Sequence, residues 1–92
     1  MIRRRLVVTG RVQGVFFRDW TVEHARVLGL DGWVRNRADG SVEMVVAGAP
    51  EMVEAMIARA RQGSPASRVA DVAVSHDTSG ERLDGFEKRA TA

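Results

Sequence analysis

"RLVVTGRVQGVFFRDWTVEHARVLG", Arg5 to Gly29, changes its period part-way along, and that change decides how the chain folds. Arg5 to Thr9 is an apolar, β-branched run of the kind that forms a strand, and Gly10 breaks it. Beyond it, Phe17, Thr21, Ala25 and Leu28 recur at steps of four, four and three, which draws one face of a helix from about residue 18 to 28. Gly29 stands where a helix closes on a left-handed residue. Between strand and helix lies a flexible, basic segment, Gly10 to Arg18, that carries two glycines, two arginines and two adjacent phenylalanines.

Working outward, Gly32 to Arg37 reads as a short strand, Ala38-Asp39-Gly40 as a turn and Val42 to Ala47 as the second arm of a hairpin. Pro50 suits the first position of a second helix, Glu51 and Glu54 suit its positive end, and Val53, Met56, Ile57 and Ala60 form its apolar stripe. Gly63 closes that helix. Val69 to Ser75 alternates as a strand does, residues 77 to 85 read as an exposed polar loop, and Phe86 to Arg89 as a short last strand.

The order strand, helix, strand, strand, helix, strand predicts an α+β fold: a ferredoxin-like β-α-β-β-α-β sandwich, its antiparallel sheet covered on one face by two helices. A single domain spanning residues 1–92 is expected, since 92 residues that are 45% apolar suffice for one core. This topology has a functional consequence. The first helix returns the chain, so the first two strands run the same way, and Gly10 to Arg18 should neighbour Arg35-Asn36-Arg37.

Composition narrows the chemistry. Fourteen basic residues, thirteen of them arginine with Lys88 the one lysine, nearly balance twelve acidic ones, too even a balance for a polyanion-binding protein. Arginine is nonetheless the side chain best shaped for two-point binding of phosphate or carboxylate. The absence of cysteine excludes disulfides, thiolate nucleophiles and cysteine-based metal centres. The arginine-rich start, Met1 to Gly10, has too short an apolar run for a signal peptide, and no stretch approaches the roughly 20 apolar residues of a membrane span. A cytoplasmic monomer with no membrane association is expected.

A strand that runs through a glycine-containing turn into a helix leaves main-chain N–H groups around one concavity at the positive end of the helix dipole. Such a place holds an oxyanion, and Arg18 is positioned to grip the same anion. A plain loop ending in a solvated arginine is the alternative, and the spacing of Gly10 and Gly14 alone does not decide between them. A nucleotide-binding P-loop is excluded, because no Lys-Ser or Lys-Thr follows Gly14.

Two segments carry more. "VTGRVQGVFFR" (Val8 to Arg18) and "GWVRNRADGSVEMVVAG" (Gly32 to Gly48) resemble the two signature segments of the acylphosphatase family, in the family's order. "LGLDGWV", "GSPASRV" (Gly63 to Val69) and Phe86-Glu87-Lys88-Arg89 extend the likeness over most of the chain. The resemblance implies hydrolysis of the carboxyl-phosphate mixed anhydride of acyl phosphates, with no metal or other cofactor. It makes Arg18 the phosphate-binding arginine and Gln13, Gly14, Val15, Phe16 and Phe17 the loop whose amides cradle the phosphoryl oxygens. Asn36 would position the attacking water. A small acyl phosphate would be the partner, inorganic phosphate or a similar anion the product or inhibitor. The chain departs from the family at its end, where Ala90-Thr91-Ala92 follows Arg89 in place of a common terminal aromatic. A role for the terminal carboxylate in orienting Arg18 is therefore an open point.

Other residues point elsewhere less strongly. His24 and His76 have no partner at metal-ligand spacing, no serine sits in a G-x-S-x-G elbow, and Trp20 and Trp33 read as packing residues. Arg11, Arg35 and Arg37 are candidates for a positive rim with Arg18. Single-stranded RNA-binding modules share this order of elements and stack bases on aromatics of the central strands. Residues 5–9 and 42–47 contain no aromatic, so nucleic acid is not an expected partner.

Overall fold

The computed structural model describes residues 1–92. Its elements are β1 (Ile2–Arg11), α1 (Phe17–Val27), β2 (Asp31–Asn36), β3 (Val42–Gly48), α2 (Pro50–Gln62), β4 (Arg68–His76) and β5 (Phe86–Lys88). The strands form one sheet in the order β4-β1-β3-β2-β5. β1 lies antiparallel to β3 and β4, and β2 antiparallel to β3, as the ferredoxin-like order requires. β5 adds a parallel pairing beside β2, Gly32 with Phe86 and Val34 with Lys88, so the sheet is mixed at that edge.

Strand periodicity sorts the two faces. Leu6 and Val8 of β1, Val34 of β2 and Val42, Met44 and Val46 of β3 turn to one core with Phe17 and Ala25 of α1 and Val53, Met56 and Ala60 of α2. Each of the Val, Leu, Met and Phe side chains among them, taken fully out of water, contributes about 1.5–3 kcal/mol. α1 closes as its sequence suggests. The Gly29 N–H donates to the Arg26 carbonyl and the Leu30 N–H to the Ala25 carbonyl, the paired bonds of a Schellman cap, with Gly29 at φ 67°.

Gly10 does something other than end a strand. β1 continues to Arg11, and the pairing with β4 shifts register between Thr9 and Gly10. At φ 118° a Cβ on Gly10 would lie 2.2 Å from the Arg68 carbonyl oxygen, so its glycine is needed by a bulge that brings two backbones together.

The face away from the helices carries Arg5, Trp33, Arg35 and Glu43. The Glu43 side chain is 4% exposed and is shared by Arg5 and by Arg35, whose Nε donates to Oε1 at 2.8 Å. Arg35 and Arg89 lie over the Trp33 ring at 4.7 and 4.9 Å, and Trp33 is a packing residue, 7% exposed. Residues 77–85 fold back over this edge. Arg3 donates to Asp77 Oδ2 at 2.7 Å and to the Glu81 carbonyl at 2.7 Å, and Arg89 pairs with the Glu81 carboxylate.

Burial pushes the Glu43 carboxyl up, but hydrogen bonds from Arg35 and Arg5 outweigh it and hold the group below its ordinary value of 4.5. The unfolded chain therefore takes up this proton first as pH falls. The contribution of Glu43 to stability is full above about pH 4.5 and fades as pH drops through the lower folded value. Glu43→Gln leaves two guanidiniums without a counter-ion. The fully buried cost of about 3–5 kcal/mol shrinks to roughly 1–3, because Arg5 and Arg35 are a third exposed. Denaturant titration at pH 7 should read that loss, and the acid limb of a Tm-against-pH curve should be shallower in the variant.

Candidate active site

β1 and β2 run parallel through their common neighbour β3, so the loop after β1 and the end of β2 meet at one end of the sheet. There a cleft of about 330 Å³ is lined by Val12, Gly14, Phe16, Phe17, Arg18, Asp19, Asn36 and Lys88. Arg18 and Asn36, 18 positions apart by their numbers, share it.

The loop has an unusual backbone. Gly14 is at φ 72° and Phe16 at φ 60°, ψ 25°, the one non-glycine residue of the chain at positive φ. Nothing lies near a Cβ built on Gly14, so its glycine is needed for conformation and not for space. Phe16 is also the N-cap of α1 and supplies no side-chain cap. The first bond of the helix is Trp20 N–H to the Phe16 carbonyl, and the N–H groups from Gln13 to Asp19 donate to nothing within the chain. A helix start with all its donors free, reached through left-handed turns, concentrates positive potential on the cleft.

The side chains complete that field. Arg18 is half-buried and has neither an ion pair nor a hydrogen-bond partner in the chain. Lys88 Nζ lies 2.8 Å from Asp19 Oδ1. The Lys88 ammonium, by hydrogen bond and by charge, holds the Asp19 carboxyl below the usual carboxylate range, with a smaller contribution from Arg18. Asn36 Oδ1 is buried and receives no hydrogen bond. A cleft walled by free N–H groups and two cations, with its one carboxylate already paired, is a site for an anion.

Gln13 and Val15 do not line the cleft with their side chains. Gln13 Nε2 donates to the carbonyls of Arg37 and Ser41 at 2.8 and 2.9 Å and pins the loop to the β2–β3 turn. That turn is itself braced by Asp39, whose Oδ1 accepts from Ser41 N–H at 2.9 Å and Ser41 Oγ–H at 2.6 Å. The expected positive rim of Arg11, Arg35 and Arg37 around Arg18 is not formed. Arg35 alternates to the opposite face of the sheet from Asn36 and serves Glu43, while Arg11 and Arg37 do not reach the cleft. Asp19 and Lys88 were not foreseen. Asp19 adjoins Arg18 in the first helical turn, a signal that was available, but the arrival of Lys88 depends on β5 pairing with β2.

The histidines have other neighbours. His24 meets the Trp20 ring at 4.4 Å and Arg59 at 2.9 Å, and His76 meets Arg4 at 3.0 Å. The last residues run on along β2: Arg89 N–H donates to the Val34 carbonyl, Ala92 N–H to the Asn36 carbonyl, and Ala38 N–H to the Ala92 carbonyl. The tail thus braces the backbone of Asn36 and makes no hydrogen bond to Arg18.

A ferredoxin-like sandwich whose first strand-to-helix loop turns free N–H groups and a guanidinium onto one cleft defines the class, a small α+β domain with a site suited to an anion. Comparison with known proteins gives the family. The acylphosphatase family model matches residues 4–88. An acylphosphatase of Rhizorhabdus wittichii is 62% identical over 98% of this chain and 90% of its own, and one of Acidiphilium cryptum is 50% identical over 99% of each. The crystal structure of acylphosphatase from Bacillus subtilis superposes with a TM-score of 0.91 at 37% identity, over 97% of this chain and 99% of that one. The chain belongs to the acylphosphatase family, a family of enzymes. No helix is long and apolar enough to cross a membrane.

Proposed function

We propose that the protein hydrolyses acyl phosphates to a carboxylate and inorganic phosphate through the Arg18–Asn36 cleft. The observation that carries this is the run of unpartnered amides from Gln13 to Asp19 ending on an unpaired guanidinium. Three phosphoryl oxygens need several donors aimed from one side, and these donors are already fixed in place.

In the proposed reaction a water oxygen bonds to phosphorus as the bond from phosphorus to the acyl oxygen breaks, its electron pair leaving on the carboxylate. The conjugate acid of that leaving group has a pKa of about 4, so it departs without a proton and no general acid is needed. The transition state is loose, with charge on the equatorial oxygens and little bonding to water, so a strong general base is dispensable. The water's proton passes to a phosphoryl oxygen. Arg18 and the loop amides bind the charge; Asn36 holds the water in line. Its free acceptor, Oδ1, needs only a turn about a broad, roughly two-fold terminal torsion to reach such a water. Gln13 acts at one remove, keeping the loop against the β2–β3 turn. All these groups come from one chain, so activity requires no second copy.

The test is phosphate release from acetyl phosphate by the purified chain with a chelator present, and p-nitrophenyl phosphate as the stable-ester comparison. Fast, chelator-insensitive turnover of the anhydride alone is the expected result. Absence of turnover, or turnover that the chelator abolishes, would overturn the proposal.

A further inference from the structure

Beside the cleft a second hollow, of about 360 Å³, lies between the start of α1 and the loop joining α2 to β4. Val15, Phe16 and Trp20 line it from the first element, and Ser64, Pro65 and Ala66 from the second. We infer that this groove binds the acyl half of the substrate and makes the protein prefer acyl phosphates with an extended apolar acyl group; the inference rests on the hydrolytic function proposed above.

Continuity comes first. Phe16 and Asp19 belong to both hollows, so a ligand seated by its phosphate in the cleft reaches the groove without leaving the surface. Direction agrees. In-line displacement sends the leaving group away from the attacking water. Asn36, which holds that water, lines the cleft but not the groove, and no residue of β2 lines the groove. The groove thus opens from the α1 wall of the cleft, which does not include Asn36.

The chemistry of the lining matches an apolar chain. Phe16 is 81% exposed although its backbone is held left-handed, a conformation costing a non-glycine residue roughly 1–2 kcal/mol. Packing inside the fold does not repay that cost, whereas a ring presented at the junction of the two hollows has an apolar ligand to cover it. The polar members of the lining are the exposed Asp19 and Glu23, which stay in water at its rim, and Ser64, which is 7% exposed with a buried hydroxyl that has no partner in the chain. A hollow of this size with a largely apolar floor and a few polar groups is the usual form of a small-molecule subsite.

The experiment measures kcat/KM of the full chain on acetyl, butyryl and hexanoyl phosphates. Straight-chain carboxylates are near-equal leaving groups, so a gradient across this series reports binding and not intrinsic reactivity. Wild type should gain about fourfold per added methylene, roughly 15-fold from acetyl to butyryl. Ala66→Trp, which fills the groove, and Ala66→Glu, which charges it, alter an exposed loop residue and should keep the wild-type Tm. Each should cut the hexanoyl-to-acetyl ratio at least about tenfold. A wild-type series flat within twofold, or a gradient that survives both variants, overturns the groove while leaving hydrolysis intact. Failure to turn over acetyl phosphate at all overturns the hydrolytic function, and the groove assignment falls with it.

Discussion

Asn36→Ala protein is expected to fold with an undiminished Tm and to turn over acyl phosphate at least roughly 10²-fold more slowly than wild type, with KM little changed. The two halves of that result have one cause. In the folded chain the Asn36 side-chain oxygen is buried with no donor, and a buried polar group left unpaired costs about 1–3 kcal/mol. Alanine removes that cost and gives back some packing, while the backbone of residue 36 keeps its pairing with Val42 and its bond from Ala92 N–H. The proposed water-holding role gives a reason to keep a side chain that the fold would be better without. On the proposed mechanism its loss falls on the chemical step, because the group would contact the water and not the bound phosphate. Thermal unfolding together with steady-state kinetics on acetyl phosphate reads both quantities. A folded Asn36→Ala enzyme with wild-type kcat would remove the water-holding role.

Arg18→Gln should give the complementary split. Hydrogen bonds to a charged group are worth about 1.5–3 kcal/mol each, so losing a two-point grip lowers kcat/KM by roughly 10² to 10⁴-fold, most of it through KM. Inorganic phosphate, bound by the same groups, should lose affinity in step. In wild type, phosphate should raise Tm by mass action, and in Arg18→Gln that rise should vanish. The unliganded variant should be as stable as wild type or more so. Arg18 makes no salt bridge in the chain, and a cation in the first turn of α1 opposes the helix dipole at a cost of about 0.3–1 kcal/mol. Phosphate protection that persists in Arg18→Gln would mean that the amides suffice and the guanidinium is dispensable.

Both residues thus weigh against the fold that carries them. The free amides of Gln13 to Asp19 and the left-handed Phe16 belong to the same pattern. Strain and unpaired donors collect where charge is to be bound, and the remaining structure sustains them: Gln13 fastened to the β2–β3 turn, Phe17 in the core and the bulge at Gly10. The Lys88–Asp19 pair adds a second cation to the cleft but holds it in check, so the potential that meets an incoming dianion comes mainly from Arg18 and the helix start.

Local chemistry along the chain was enough to reveal the elements and to set the loop ending at Arg18 beside Asn36, while the roles proposed for those two residues came from the resemblance to the acylphosphatase family. A β-branched run, an i, i+3, i+4 stripe, an Asp-Gly turn and a Schellman glycine each act within a few residues, and the fixed direction of a β-α-β unit then brings the loop after β1 to the end of β2. Tertiary structure alone decided what depends on register between distant segments. The shift between Thr9 and Gly10 against β4 turned an apparent strand end into a bulge, and the alternation of β2 sent Arg35 to Glu43 on the far face of the sheet. The parallel pairing of Val34 with Lys88 carried the chain's one lysine into the cleft. Strand pairing is set by the burial of a whole face at once, and a shift of one residue exchanges every side chain between faces, so no short stretch read by itself contains that information.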